Sequence, residues 1–357
     1  MNSRPLPAPR SIAFLVALLA STIPMRAADR FAAISARLQD FVDRSEIAGA
    51  VALVADKERI LYLGAVGSRD LAGGAPMQTD DLFAIASMTK PFTAVAVALL
   101  VDEGQLTFDD PVEKHLPEFR DLWTVVEETT EPARRVLEPS PRPVTVRDLL
   151  AHTSGLEPVK PRDPHWTLAE VARLLARTPL RFAPGSCWEY SDGGYFVLGR
   201  LVEVVAGEPF PAYVQRRILD PLGMKDTTFH LSPEQRARLA LCYRRDPASG
   251  KLVPARPPPS FGDPADATRG PNPAGGLFST AADLAVLYQM LLKGGEHGGR
   301  RFLRPETVAE LVRPQTGTLP VRPGFAWGLG FTLIQDPSQV EANRTYTPGS
   351  FGHGDAA

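Results

Sequence analysis

Near its start the chain carries two β-rich apolar runs, residues 48–55 and 60–67, on either side of the charged corner Asp56-Lys57-Glu58-Arg59. Such a pair reads as a β-hairpin. Upstream, Ile34, Leu38, Phe41 and Val42 recur at helical spacing. From Phe83 the period changes to that of a helix. Phe92, Ala96, Leu99 and Leu100 share one face, and Gly104 ends the run. Further helical patches follow at 144–150, 167–176, 195–205 and 281–292, the last two closed by Gly207 and Gly294-Gly295. Strand-like alternation returns at 327–334. Strands, then helices, then strands predict an α/β fold, a mostly antiparallel sheet with a helical subdomain inserted between its halves. Residues 124–143, rich in Glu, Thr and Pro, predict an exposed loop. Residues 253–274, centred on Pro257-Pro258-Pro259, predict a second loop and no domain boundary. No internal repeat occurs.

Residues 1–28 read as a signal peptide: Arg4 and Arg10 precede the apolar stretch 12–23, and Ala27 and Ala28 supply a small-residue cleavage site. The stretch is too short to span a bilayer comfortably. An exported protein, periplasmic or secreted, with one domain over 29–357 and no stable membrane span after cleavage, is therefore expected; an uncut N-terminal anchor is the alternative. The chain has 39 basic and 41 acidic residues, and loses Arg4, Arg10 and Arg26 with the leader. A mildly acidic protein lacks the clustered Lys and Arg that nucleic acid requires, so no nucleic-acid partner is expected. Two cysteines, Cys187 and Cys242, with no CxxC pattern exclude zinc-ribbon and thioredoxin-like readings. Export leaves their pairing open.

Ser87-Met88-Thr89-Lys90 lies just before the 92–100 helix. Ser and Lys three apart at a helix start come within contact. A serine hydroxyl needs a base to become a nucleophile, and a lysine in a dry site can serve or can tune a neighbour that serves. The helix N-terminus adds partial positive charge where an oxyanion would form. Pro91, tolerable only in the first turn, places the helix start near Ser87. Alone, the pattern is better read as a surface serine and a solvated lysine. About a hundred residues on, Tyr190-Ser191-Asp192 precedes the 195–205 helix. A phenol near Lys90 is favoured in its phenolate form and becomes a candidate base, the plain alternative being a half-buried aromatic. Gly352-His353-Gly354 follows a Pro-Gly turn, and small residues there allow a backbone to approach a ligand closely. No GxSxG occurs, so a nucleophile elbow is not supported.

Taken together these segments resemble the serine β-lactamase and penicillin-binding-protein superfamily, closest to its class C β-lactamase-like, esterase-containing branch. The resemblance extends over most of the chain: Asp109-Asp110-Pro111-Val112 with Leu116-Pro117, Leu149-Leu150-Ala151-His152-Thr153-Ser154-Gly155-Leu156, Pro221-Leu222-Gly223-Met224, and Gly275-Gly276-Leu277-Phe278-Ser279-Thr280. It implies Ser87 as acylated nucleophile, Lys90 as its activating partner and Tyr190 as general base. Asp192 stands where the family most often has Asn, and an ionised carboxylate cannot donate to a substrate carbonyl. His353 takes the place of the third motif's basic residue and, only partly charged at neutral pH, is a poorer anchor for a carboxylate. The oxyanion donors would be the N–H groups of Ser87 and Ala356. A triad of His152 with Ser154 is disfavoured, since the family uses that stretch structurally.

The resemblance implies a serine hydrolase working through an acyl-enzyme, without metal or cofactor, on a small ester or amide. A D-Ala-D-Ala-type peptide ranks second and a β-lactam third. A non-catalytic peptidoglycan- or penicillin-binding homologue is the rival from another class, with turnover lost through Asp192, Asp355 and a short sheet. The chain stops four residues after His353. The family's further strands and C-terminal helix are thus expected to be missing, and Asp355 stands where the family has Gly. A fragment of a longer product is favoured over a truncated inactive homologue or a chain completed by a partner, because residues 28–351 keep the family's features.

Overall fold

The computed structural model describes residues 27–131, 133–158, 163–255, 263–340 and 346–354. Most of the expected leader, together with Asp355 and Ala356, lies outside them. The opening hairpin forms as its pattern predicts: Gly49–Ala55 runs antiparallel to Ile60–Asp70, with Leu53 opposite Leu63 and Val51 opposite Ala65. The short strand Ala75–Pro76 extends this sheet. Helix Ala27–Asp43 packs on the longer strand and helix Ala281–Leu292 against the shorter. A second three-stranded sheet joins Phe325–Trp327, Thr332–Ile334 and Phe351–Gly352. Every pairing between these strands is antiparallel, as expected. Among the described residues no helix is long and apolar enough to cross a membrane.

Between the sheets in sequence lie the helices that build the core. Helix Lys90–Asp102 is its axis: every residue from Lys90 to Leu100 is buried. A helix apolar on all sides has to be enclosed by other elements, and Asp192–Ala206 packs directly on it, with Val146–Leu150 and Leu168–Ala176 against Asp192–Ala206 in turn. One continuous apolar cluster includes Phe92 and Leu100 of the axis, Leu149, Leu198, Leu277, Leu287 and Phe331, so the helical part and the second sheet share a core. Local chemistry fixes several ends. Thr145 and Thr167 close capping boxes with Asp148 and Glu170, and Thr280 caps Ala281–Leu292.

Five expectations are corrected. Residues 124–143 are largely an exposed β-hairpin, Trp123–Thr130 against Ala133–Pro139, not a loop. Its register closes through backbone pairing while its polar side chains face water. Phe83–Ala84 is a short strand paired with Phe278–Ser279, so helix begins only after it. The 195–205 helix starts three residues earlier, at Asp192. The alternation at 327–334 is a tight turn joining two strands. The 253–274 loop gives up its edge to strand Leu252–Pro254, paired with Tyr243–Arg245. Cys187 and Cys242 are both exposed, and no disulfide joins them.

Candidate active site

Ser87 sits in a 3₁₀ turn, Ala86–Thr89, that runs straight into helix Lys90–Asp102. Three residues per turn bring positions i and i+3 into line, and Lys90 Nζ lies 3.2 Å from Ser87 Oγ. Just before the serine, Ala86 adopts φ +42°, a left-handed backbone that is costly without glycine. The chain reverses sharply there. Ser87 is the second residue of the turn, where a backbone N–H has no acceptor within the turn and is available to a ligand.

The segment before helix Ala281–Leu292 is strapped along this turn. Ile85 N–H donates to Leu277 O at 3.0 Å, Leu277 N–H to Thr89 Oγ1 at 3.1 Å and Thr93 Oγ1 to Pro273 O at 2.7 Å. That strap brings the Ala274 carbonyl to 2.8 Å from Lys90 Nζ. Asp192, first residue of its helix, brings a carboxylate oxygen to 2.7 Å on another side. Lys90 is fully buried and donates to Ser87, Asp192 and Ala274. An ammonium has three N–H donors and a neutral amine only two. Three acceptors with a carboxylate among them suit the ammonium form.

Tyr190 donates from its hydroxyl to Ser87 Oγ at 2.8 Å, and Lys90 Nζ lies 4.6 Å from the centre of its ring. Tyr195 is also near the lysine, its ring centre 5.3 Å from Nζ. Its hydroxyl, however, donates to Leu150 O at 3.2 Å, and full burial holds it well above the ordinary phenol range. Of the two phenols only Tyr190 reaches the serine. Two glycines after Asp192 let the motif dock: a Cβ on Gly193 would stand 2.4 Å from the Glu157 carbonyl oxygen.

His353 closes the far side. Its ring centre is 6.2 Å from Tyr190 and 5.5 Å from Trp327. Its Nδ1 donates to Gly354 O at 2.7 Å, which leaves Nε2 as the acceptor of a neutral imidazole. Burial, and after it the nearby Lys90 charge, hold the imidazole down to about 4. Sequence reasoning expected a partly charged group here; burial shifts it towards the neutral form. Ser87, Lys90, Tyr190, Asp192 and His353 thus converge on one place. Ala356, the remaining expected site residue, is outside the described residues.

Three further groups border the site, the first two not anticipated from the sequence. Trp327 packs edge-on to Tyr190 at 5.8 Å, and the Ala274 carbonyl completes the lysine's surroundings. The third is His152, buried beneath Tyr190 with its ring centre 4.5 Å away. It forms no couple with Ser154, whose Oγ accepts from Leu156 N–H at 3.3 Å. That agrees with the structural reading of the 149–156 stretch, while the contact of His152 with Tyr190 had no signal in the sequence.

Burial lowers three histidines: His152 well below the ordinary imidazole value of 6.5, His230, and His353 to about 4. Between those values and 6.5 the unfolded chain binds more protons than the native one, so stability rises with pH there and is lost as pH falls. The thermal midpoint is expected to be lower at pH 5 than at pH 7.5. His353→Asn is expected to narrow that difference in a calorimetric pH series.

A family profile described as Beta-lactamase matches residues 34–354. Protein Rv1367c of Mycobacterium tuberculosis (strain ATCC 25618 / H37Rv) is 34% identical over 338 residues, covering 89% of this chain and 82% of its own. Esterase EstB of Burkholderia gladioli is 32% identical over 368 residues, with 90% and 86% covered. Among solved structures, EstCE1, described as a hydrolase with promiscuous acyltransferase activity, superposes with a TM-score of 0.73 at 27% identity, over 90% of this chain and 86% of that one.

Proposed function

The chain belongs to the beta-lactamase family, and from that premise we propose that it is a serine hydrolase cleaving small uncharged esters through an acyl-enzyme on Ser87. The observation that carries this reading is the meeting of Lys90 Nζ and Tyr190 Oη on one serine oxygen, at 3.2 and 2.8 Å. With the lysine as an ammonium, the proton acceptor is Tyr190 as its phenolate, formed once the hydroxyl that donates to Ser87 Oγ has given its proton to solvent. A cation beside the ring favours the phenolate.

Ser87 Oγ attacks the ester carbonyl while its proton passes to the Tyr190 phenolate, and the carbonyl electrons move onto oxygen. The Ser87 N–H, at the head of the turn, donates to that oxyanion. Collapse expels the alkoxide, which takes the proton back from Tyr190. Water then attacks the acyl-serine, gives its proton to Tyr190, and the tetrahedral species releases the acid as Ser87 is reprotonated. General-base help of this kind is worth about 10²–10⁴-fold.

The preference for uncharged esters rests on charge. His353 is neutral at physiological pH, and the Lys90 ammonium is matched by the Asp192 carboxylate at 2.7 Å. The group of residues around Ser87 therefore offers little to attract a substrate carboxylate, and Asp192 resists one. Kinship with an esterase supports the same choice. Steady-state assays with a p-nitrophenyl butyrate, a penicillin and a peptide ending in D-Ala-D-Ala test it. The butyrate is expected to have the largest kcat/KM. A larger value for either carboxylate-bearing substrate overturns the ester preference. Saturable peptide binding with no turnover of any of the three would favour a non-catalytic binding protein.

A further inference from the structure

His152 combines features that packing alone does not ask for. Its backbone is left-handed, φ +61°, although it is neither glycine nor a residue at the surface; it is 1% exposed. Its Nδ1 accepts from the Ser191 N–H at 3.1 Å, and its carbonyl accepts from the Glu189 N–H at 3.0 Å. One residue thus grips the chain immediately before and immediately after Tyr190. Since Nδ1 accepts, the imidazole proton is on Nε2, which is buried and has no hydrogen-bond partner. That edge belongs to a ring packed between Tyr190 at 4.5 Å, Trp327 at 4.8 Å and Tyr195 at 5.2 Å. A leucine would fill such a space without an unpaired buried donor, which costs stability, and would be no more at ease in the left-handed backbone.

We infer that His152 is a positioning residue for the reaction. It pins residues 189–191 by accepting from two of their N–H groups, one on its imidazole and one on its carbonyl, and backs the Tyr190 ring, so that the phenol oxygen stays within proton-transfer distance of Ser87. This rests on the reading of Tyr190 as general base. His152 touches neither substrate nor the reacting atoms. It acts only through Tyr190, and its effect vanishes when Tyr190 cannot take a proton.

Two replacements test the device. His152→Gly suits the left-handed backbone but removes the acceptor and the ring. His152→Asn also suits that backbone and returns an acceptor oxygen near the Nδ1 position. With p-nitrophenyl butyrate, His152→Gly is expected to lower kcat at least about tenfold with KM changed less than about twofold, and His152→Asn to recover kcat to within about threefold of wild type. In a Tyr190→Phe background, His152→Gly is expected to cost less than about twofold more, the mark of two groups working as one. Ser154→Ala is expected to leave kcat unchanged.

An unchanged kcat in His152→Gly, or equal losses in both backgrounds, overturns the proposal. Should the glycine variant not fold, His152→Asn decides: a folded protein with less than about a tenth of wild-type kcat overturns it. A loss in Ser154→Ala equal to that of the glycine variant would make His152 a base for another serine, and overturns it too. If Tyr190→Phe alone is harmless, the general-base reading falls together with this one. If Tyr190→Phe is crippled while His152→Gly is not, only the positioning role falls.

Discussion

Ser87→Ala is expected to lower kcat for an activated short-chain ester by at least about 10³-fold while leaving the thermal midpoint within a degree or two of wild type. The hydroxyl makes two hydrogen bonds, from Lys90 and Tyr190, and fills little space, so its loss should be felt in chemistry and hardly in folding. Intact mass measured at early times should show an acyl adduct on wild type, mapped to the peptide containing Ser87, and none on the variant. Residual turnover at a tenth of the wild-type rate would mean that another nucleophile carries the reaction.

A different signature is expected of Lys90→Met. The thioether has nearly the length of the lysine stem and no charge, so the variant removes the cation and keeps the packing. Activity should fall by about 10³-fold or more, since the phenolate of Tyr190 loses the positive charge 4.6 Å from its ring. Stability should fall as well. Asp192 and the Ala274 carbonyl lose their donor, and a group left unpaired in a dry place costs more than the pair was worth. The two variants can be told apart in one experiment that reads rate and thermal midpoint together: Ser87→Ala moves only the first, Lys90→Met both. A Lys90→Met protein with its wild-type midpoint would show that the ion pair adds nothing to folding.

Legibility in the sequence followed the strength of local signals. Helix Ala281–Leu292 was readable end to end because an apolar period runs from a capping threonine to a Gly-Gly stop. The Ser-x-x-Lys pair was readable because its spacing is itself the geometry. The hairpin Trp123–Pro139 was not. Its strands are mostly exposed and rich in Glu, Thr and Arg, and a strand wet on both faces leaves no alternation to detect. The start of helix Asp192–Ala206 was hidden by Gly193-Gly194, poor helix formers kept because the neighbouring backbone leaves no room for a Cβ at Gly193. His152 illustrates a third kind of limit. Its role depends on Tyr190, Ser191, Tyr195 and Trp327 coming to one spot, and no local pattern records which distant side chains will meet.

The enclosure of helix Lys90–Asp102 from Lys90 to Leu100 has a consequence for how the protein fails. Most helices present one face to water and can fray or loosen while the rest of a domain persists. This one has nowhere to loosen towards without opening the core, and Ser87 and Lys90 are attached to its first turn. The chemistry at Ser87 is therefore tied to the most protected part of the molecule, so that heat inactivation and global unfolding run as one event. Catalytic rate, followed through a temperature ramp, should report the melting of the core and give little advance warning of it.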